Sequence, residues 1–436
     1  MDKNIPCMYK RYGNYINSNR SFPLAIDGLK PVERRILLVA YQIAKDKFVK
    51  SARIDGTTIA KYHPHSSVYS SIVQLANQGF LDKQGNFGNN LGTDPSSAAA
   101  SRYTEVKLSQ HIDKIVFSNL LKYVPWELQE TDENEPKFLP SQYPLCFLGK
   151  EYTMGIGFGY RTLIPCYHEN DLKNRLKWLL KMTPDEPVIK PITGCTIISD
   201  DSVLRQLLTT GKSQITVKGD VSYDPIHCKA TLKSWGPGKK FETIYKKFSD
   251  LTDNGEIGFS DLSNEENGTH IVFNVLKQRN RDKIFKQFKE IMELAIVSNI
   301  SFEITVVENN KVCQKSVDEM LLNTYNMYKQ INQIMLKHEI ERYTKIVDEN
   351  NLLLKIRPLL IKEMQSGEIS PDIIISNITK ILNISDENII KILFDKYKIS
   401  KLLTIKTDIT NILEKIENLN KNLTEIDTFI NIQYGE

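Results

Sequence analysis

Residues 27–65 read DGLKPVERRILLVAYQIAKDKFVKSARIDGTTIAKYHPH, and residues 85–105 read GNFGNNLGTDPSSAAASRYTE. Pro31 suits the first turn of a helix, because its fixed φ is already helical and its missing N–H has no partner to lose there. From Val32 to Ala44 the apolar residues recur at helical spacing. Shorter helices are expected around 57–62 and 67–76, followed by a Gly- and Asn-rich hairpin-like stretch over 79–92. Three short helices and then a hairpin predict a winged helix-turn-helix.

Charge is concentrated in the same place. The whole chain of 436 residues carries a net charge of +4. Between residues 30 and 61 there are eight basic residues (Lys30, Arg34, Arg35, Lys45, Lys47, Lys50, Arg53 and Lys61) and three acidic ones (Glu33, Asp46 and Asp55), a local excess of +5. Such a run is either a phosphate footprint or a solvated face.

Around it lie residues with chemistry to offer: Arg20, the pair His63 and His65, and Arg102 beside Tyr103. Tyr103 is one of 19 tyrosines, so its type alone says little. Its setting says more. Ala98, Ala99 and Ala100 let a backbone approach another surface, and Arg102 can grip a phosphate through two parallel hydrogen bonds. A tyrosyl phosphodiester stores the energy of the broken bond for resealing. A phenol has an ordinary pKa of about 10, so a nearby cation or metal must favour its ionised form.

Outward from this block the pattern changes. Residues 129–318 mix helices with alternating strand patterns, as at 214–221 and 300–307, and predict an α/β region. Residues 319–436 are largely helical, with a long helix over 323–356 expected to break near Pro358. Near the end, Ile409, Ile412, Ile416, Leu419, Leu423, Ile426 and Ile430 form a seam at 3–4 spacing. It is either a coiled coil or an apolar face packed within the chain. No run of about 18 apolar residues suggests a membrane span, and the N-terminus has no secretory core. The six cysteines include no CxxC pair, which suits a reducing, cytoplasmic compartment and argues against disulfides and zinc.

The segments DGLKPVERR, KYHPH, GNFG and AAASRYTE resemble bacterial gyrase A and topoisomerase IV subunits in order and near-identical spacing. GIGFGYRTLIP (155–165) and TTGKSQITVKGDV (209–221) extend the resemblance over nearly the whole chain. The resemblance implies an α+β multidomain fold: a winged-helix DNA-cleavage domain (1–128), an α/β tower domain (129–318), and a long coiled coil with a helical C-gate for dimerisation (319–436). It implies the breakage–reunion subunit of an ATP-dependent type II DNA topoisomerase, a homodimer acting on double-stranded DNA. Tyr103 matches the nucleophile and Arg102 the residue that stabilises the attacked phosphate. Arg20 and His65 match contacts to that phosphate. Lys30, Arg35 and His63 match flanking DNA-site positions, and Arg34, Arg53 and Lys61 of the basic run are expected to bind DNA beside them. Ile156 matches an apolar wedge entering a base step, although the residue alone would pass for core in a glycine-rich turn.

Departures from the pattern fall at one place. The segment after His65 is two residues shorter than usual, Ser70 stands at an acidic position, and Glu33 replaces a histidine. No carboxylate remains in that turn as read from the sequence. The resemblance then implies weak sensitivity to fluoroquinolones, which are held there through metal-bound water.

No GHKL-type ATPase motif and no EGDSA or DxD metal pattern is present. This chain is expected to contribute no metal ligands. Mg²⁺ and ATP are expected on a partner protein bearing TOPRIM and ATPase domains. The chain ends without the β-pinwheel tail of gyrase, so its size resembles that of a phage or viral cleavage component, which would act in the host cytoplasm. Two alternatives remain open: a tyrosine recombinase, which needs no metal, and a winged-helix architectural protein without cleavage activity.

Overall fold

The computed structural model describes residues 5–117, 119–129, 131–366 and 399–433. They form two compact units, 1–328 and 329–436.

The first unit begins with α1 (Ile5–Ile16), followed by a π-helical turn over Asn17–Ser21. Next come α2 (Pro31–Ile43), β1 (Val49–Lys50), α3 (Ser51–Lys61) and α4 (Tyr69–Asn77). Pro31 opens α2 as expected, and the Glu33 carboxylate accepts from the Lys30 backbone N–H at 2.8 Å, closing a capping box. Ile36, Leu37 and Ala40 of α2 pack with Ile54, Ile72 and Leu75 of the next two helices, and with Val106 and Leu108 of a strand beneath them.

The strands differ from the expected hairpin in an informative way. β2 (Leu81–Gln84) and β3 (Phe87–Asn89) do not pair with each other. β2 pairs with β5 (Glu105–Leu108), and β3 with β4 (Ser96–Ala98). They form one long ribbon, going out along β2 and β3 and returning along β4 and β5. Gln84 opposes Glu105 and Phe87 opposes Ala98. Between those two pairs, Gly85 and Asn86 on one side face residues 99–104 on the other. The return strand is thus forced out into a loop, with Arg102 and Tyr103 on it.

At the far end of the ribbon, Thr93 donates to Asp261 Oδ2 from its N–H at 2.6 Å and from its hydroxyl at 2.8 Å. Gly92, at φ +67°, sits where a Cβ would lie 2.3 Å from the same oxygen.

Asp261 belongs to an antiparallel sheet ordered Val221–Asp224, Lys229–Leu232, Ile271–Val275, Ile257–Asp261. Helix Arg281–Ala295 covers it with Ile284, Phe285, Phe288, Met292 and Ala295, one stripe at helical spacing. A second sheet runs Thr196–Ile197, Lys212–Lys218, Val297–Glu303, Tyr160–Ile164, Thr153–Gly157. Its central pair holds register from Lys212 opposite Glu303 to Lys218 opposite Val297.

Arg175, fully buried, ties helix Glu169–Leu179 to Asp318 through two hydrogen bonds of 2.8 and 2.7 Å. Asp318 opens the long helix Val317–Ser366.

That helix corrects an expectation. It continues through Pro358. The proline removes one hydrogen bond, to the Leu354 carbonyl, and the bonds on either side carry the helix across it. In the second unit, Lys415 lies 5.9 Å from the Tyr343 ring and Lys329 binds Asp427 at 2.7 Å. As one partner advances along the chain the other retreats, so the two helical stretches run antiparallel. Ile409, Ile426 and Ile430 are buried, and Ile412, Ile416, Leu419 and Leu423 are half-buried. The seam bends at Glu425, where helix Ile399–Thr424 gives way to Ile426–Gln433. Residues 367–398 of the coiled-coil and C-gate region expected over 319–436 lie outside the described residues. Among the described residues, no helix is long and apolar enough to cross a membrane.

Candidate active site and nucleic-acid interface

The loop carrying Tyr103 is docked on the start of α3. A helix leaves its first N–H groups without partners, and here the loop supplies acceptors. Ser51 N–H donates to the Thr104 carbonyl at 2.9 Å and Ala52 N–H to the Ser101 carbonyl at 3.2 Å. This docking explains why α3 begins at Ser51, earlier than its sequence pattern suggests. The Tyr69 hydroxyl, at the start of α4, donates to the Ala99 carbonyl at 2.5 Å and lies 3.0 Å from the Thr104 hydroxyl. Thr104 in turn donates to the Ser51 hydroxyl at 2.9 Å. Gly85, at φ +99°, lets the opposite strand pass 3.0 Å from the Tyr103 carbonyl, measured from where a Cβ would stand. The result is a fixed backbone with a free side chain: the Tyr103 phenol is 64% exposed, and the Arg102 guanidinium lies 4.6 Å from its ring centre.

A second group forms around His63. Its ring meets that of His65 edge-on at 4.9 Å. Arg35 Nη1 lies 3.1 Å from His63 Nδ1. An arginine only donates, so His63 must accept there and carry its proton on Nε2. Burial, then the charges of Arg35, His65 and Arg20, lower the His63 pKa to about 4, so the ring is neutral near pH 7. Arg20 itself is exposed at the end of the π-helical turn.

The wedge position adjoins that turn. The hairpin of Thr153–Gly157 and Tyr160–Ile164 presses against residues 17–22. A Cβ on Gly155 would stand 2.4 Å from the Ser21 carbonyl, and one on Gly157 2.2 Å from Asn17 Oδ1. The buried Asn17 side chain accepts from Phe158 N–H at 2.8 Å and donates to the Phe158 carbonyl at 3.0 Å. Ile156 is left 85% exposed on this rigid hairpin, which excludes the core role its residue type suggests. Lys30 Nζ reaches across to the Met154 carbonyl at 2.5 Å.

The basic stretch is less free than its charge implies. Arg34 is buried and bound to Asp27 through contacts of 2.7 and 3.2 Å, so the expectation that it contacts DNA is corrected. A guanidinium neutralised inside the core cannot reach a phosphate. Arg35 is also held, by bonds of 2.7 and 2.9 Å to Glu135, and serves to fix His63. Lys45, Lys50 and Lys61 pair at the surface with Asp113, Glu105 and Glu133. Among the described residues, Lys47 and Arg53 are exposed with no ion pair. Lys61, 3.8 Å from Glu133, is loosely held.

The turn after His65 has no carboxylate of its own, as expected, but one reaches it from α3. Asp55 of α3 accepts from Val68 N–H at 2.7 Å and from the Ser67 hydroxyl at 2.8 Å. It braces the approach to α4 from a neighbouring helix, which local sequence cannot show, and both oxygens are engaged.

The structure therefore gathers Arg20, His63, His65, Arg35, Lys30 and Ile156 on one side and Tyr103 with Arg102 on the other. Among the described residues, no hydrogen bond, ion pair or ring contact joins the two groups. No group of three His, Cys, Asp or Glu side chains there is arranged to hold a metal.

The chain is similar to known proteins over most of its length. A family model that describes the A subunit of DNA gyrase/topoisomerase IV matches residues 20–434. The chain is 30% identical over 373 residues to the DNA gyrase A subunit of Metamycoplasma arthritidis, covering 76% of this chain and 37% of that one. It is 27% identical over 390 residues to the DNA gyrase A subunit of Buchnera aphidicola, covering 83% and 45%. It is 29% identical over 325 residues to the topoisomerase subunit TopoM of Mycolicibacterium smegmatis, covering 68% and 44%. The chain thus spans less than half the length of these relatives.

Proposed function

Because the chain belongs to the A-subunit family of DNA gyrase and topoisomerase IV, we propose that it is the breakage–reunion subunit of a type II DNA topoisomerase with Tyr103 as nucleophile. One observation carries the assignment: the ribbon ejects residues 99–104 as a loop, anchors their backbone, and leaves the phenol 64% exposed under the Arg102 guanidinium. An exposed tyrosine held rigidly by its backbone can meet a phosphate without rearranging its support.

In the proposed step, the Tyr103 oxygen attacks a backbone phosphorus. A P–O(tyrosine) bond forms and the bond to the 3′ oxygen breaks. The phenol proton passes to solvent and the departing 3′ oxygen takes one up. Resealing reverses these events, with the 3′ hydroxyl attacking and the phenol leaving. Arg102 stabilises charge on the attacked phosphate. Arg20 and His65 contact the reacting phosphate, and bound DNA is what would bridge them to Tyr103. Lys30, Arg53, Lys61 and, less directly, His63 with Arg35 position flanking phosphates. Ile156 enters a base step and bends the duplex.

The three helices with the ribbon serve as a winged helix within a domain of residues 1–128. Residues 129–318 form the tower, and 319–436 the coiled coil and C-gate of a homodimer. Mg²⁺ and ATP are assigned in this reading to a TOPRIM- and ATPase-bearing partner, and no step here is routed through them.

The test is covalent trapping. With that partner, Mg²⁺ and DNA, denaturant should trap a protein–DNA adduct for the wild type and none for Tyr103→Phe, whose DNA affinity should stay within about threefold because the ring and its packing remain. An adduct persisting in Tyr103→Phe overturns the assignment.

A further inference from the structure

Resting on the assignment of Tyr103, we propose that the hydroxyls of Tyr69, Thr104 and Ser51 are positioning groups for the nucleophile. The Tyr103 ring is exposed, so packing does not fix it. Its place is set by the backbone on either side. Upstream, the Ala99 carbonyl is held by the Tyr69 hydroxyl at 2.5 Å. Downstream, the Thr104 hydroxyl sits 3.0 Å from Tyr69 and donates to Ser51 at 2.9 Å. Thr104 and Ser51 are both fully buried, so neither hydroxyl can exchange its partner for water.

The two hydrogen bonds, Tyr69 to Ala99 and Thr104 to Ser51, therefore bracket the loop just outside Arg102 and Tyr103. They fasten the loop to the first residue of α3 and the first residue of α4 at once. Those helices flank the His63–His65 segment, so one network ties the nucleophile's backbone to the helices that would meet the DNA. Loosening it would lower the fraction of time the phenol spends in line with a phosphate. It would not remove any group that binds DNA.

The test uses the complete complex with its TOPRIM- and ATPase-bearing partner and Mg²⁺. Single-turnover cleavage at saturating DNA is measured beside the DNA dissociation constant. Tyr69→Phe and Thr104→Val should each slow cleavage about tenfold, since each loses a hydrogen bond that aligns the loop. DNA affinity should change less than about twofold. Thr104→Ser, which keeps the hydroxyl and loses only the methyl, should cleave within about twofold of the wild type. Wild-type cleavage by Tyr69→Phe overturns the proposal. So does an equal loss in Thr104→Val and Thr104→Ser, which would assign the effect to packing at that position and not to the hydroxyl. If Thr104→Val fails to fold, Tyr69→Phe decides alone, because its ring stays in place. Tyr103→Phe is run alongside: an adduct surviving in that variant overturns the nucleophile assignment, whereas its loss combined with unimpaired Tyr69→Phe overturns only the positioning role.

Discussion

Arg34→Ala is expected to destabilise the first unit while leaving the salt dependence of DNA binding unchanged. Arg34 Nε lies 2.7 Å from Asp27 Oδ2, with the Asp27 side chain 0% and the Arg34 side chain 9% exposed. Truncation would leave a carboxylate in the core. Removing one member of a buried pair costs about 3–5 kcal/mol. Two hydrogen bonds to Asp27 survive, from Leu29 N–H at 3.1 Å and Leu139 N–H at 3.0 Å. They place the expected loss at the lower end, about 3 kcal/mol. Adding Asp27→Asn removes the stranded charge and should recover more than about 1 kcal/mol of it, a coupling visible in a double-mutant cycle. The assay is urea unfolding followed by tryptophan fluorescence. Trp126, Trp178 and Trp235 all lie within residues 1–328, so the signal reports that unit alone. DNA affinity is then measured across salt concentrations. Loss of a phosphate contact would lower the slope of log K against log salt by about 0.9. An unchanged stability together with a slope reduced by that amount would refute the internal role of Arg34 and restore it to the DNA surface.

Ile156→Ala should reduce DNA bending, read by fluorescence transfer between duplex ends, more than it reduces DNA binding; an unchanged bend would remove Ile156 from the wedge role. His63 is held neutral by burial and neighbouring cations, with its pKa lowered from 6.5 to about 4. The unfolded chain therefore binds the extra proton first, and stability should fall as pH drops from about 6.5 toward 4. His63→Gln should flatten that part of the melting-temperature profile, and an identical profile would show that the ring is not desolvated. Asp55→Ala removes two hydrogen bonds before α4 and should cost about 1 kcal/mol in the same unfolding assay; no loss would mean that the Val68 and Ser67 contacts contribute nothing.

Much of this was legible in the sequence where the signal is local. Pro31 and the apolar spacing after it predict α2, and the 3–4 spacing from Ile409 to Ile430 predicts the helix found there. Partners distant in sequence were not legible. Arg34 and Arg53 are both arginines in a basic run, and only the fold reveals that Asp27 claims one of them. Asp55 accepts from the Val68 N–H 13 residues away. The roles of Asn17, Tyr69 and Thr104 depend on hydrogen bonds across 30 residues or more, at Tyr69 to Ala99, and 141 at Asn17 to Phe158. The doublet Gly155 and Gly157 was the available signal that a backbone passes close to that hairpin. The expected 79–92 hairpin went astray because glycines mark turns without saying which strands pair. The pairing is decided by Val106 and Leu108 reaching the core, which brings β5 beside β2.

The most direct measurement is the identity of the residue bonded to DNA. The wild-type complex, trapped during cleavage, is digested with nuclease and protease, and the nucleotide-bearing peptide is sequenced by mass spectrometry. The account predicts a peptide containing SRYTE, residues 101–105, with a nucleotide joined through its 5′ phosphate to Tyr103. A nucleotide on any other tyrosine, or joined through a 3′ phosphate, would contradict it.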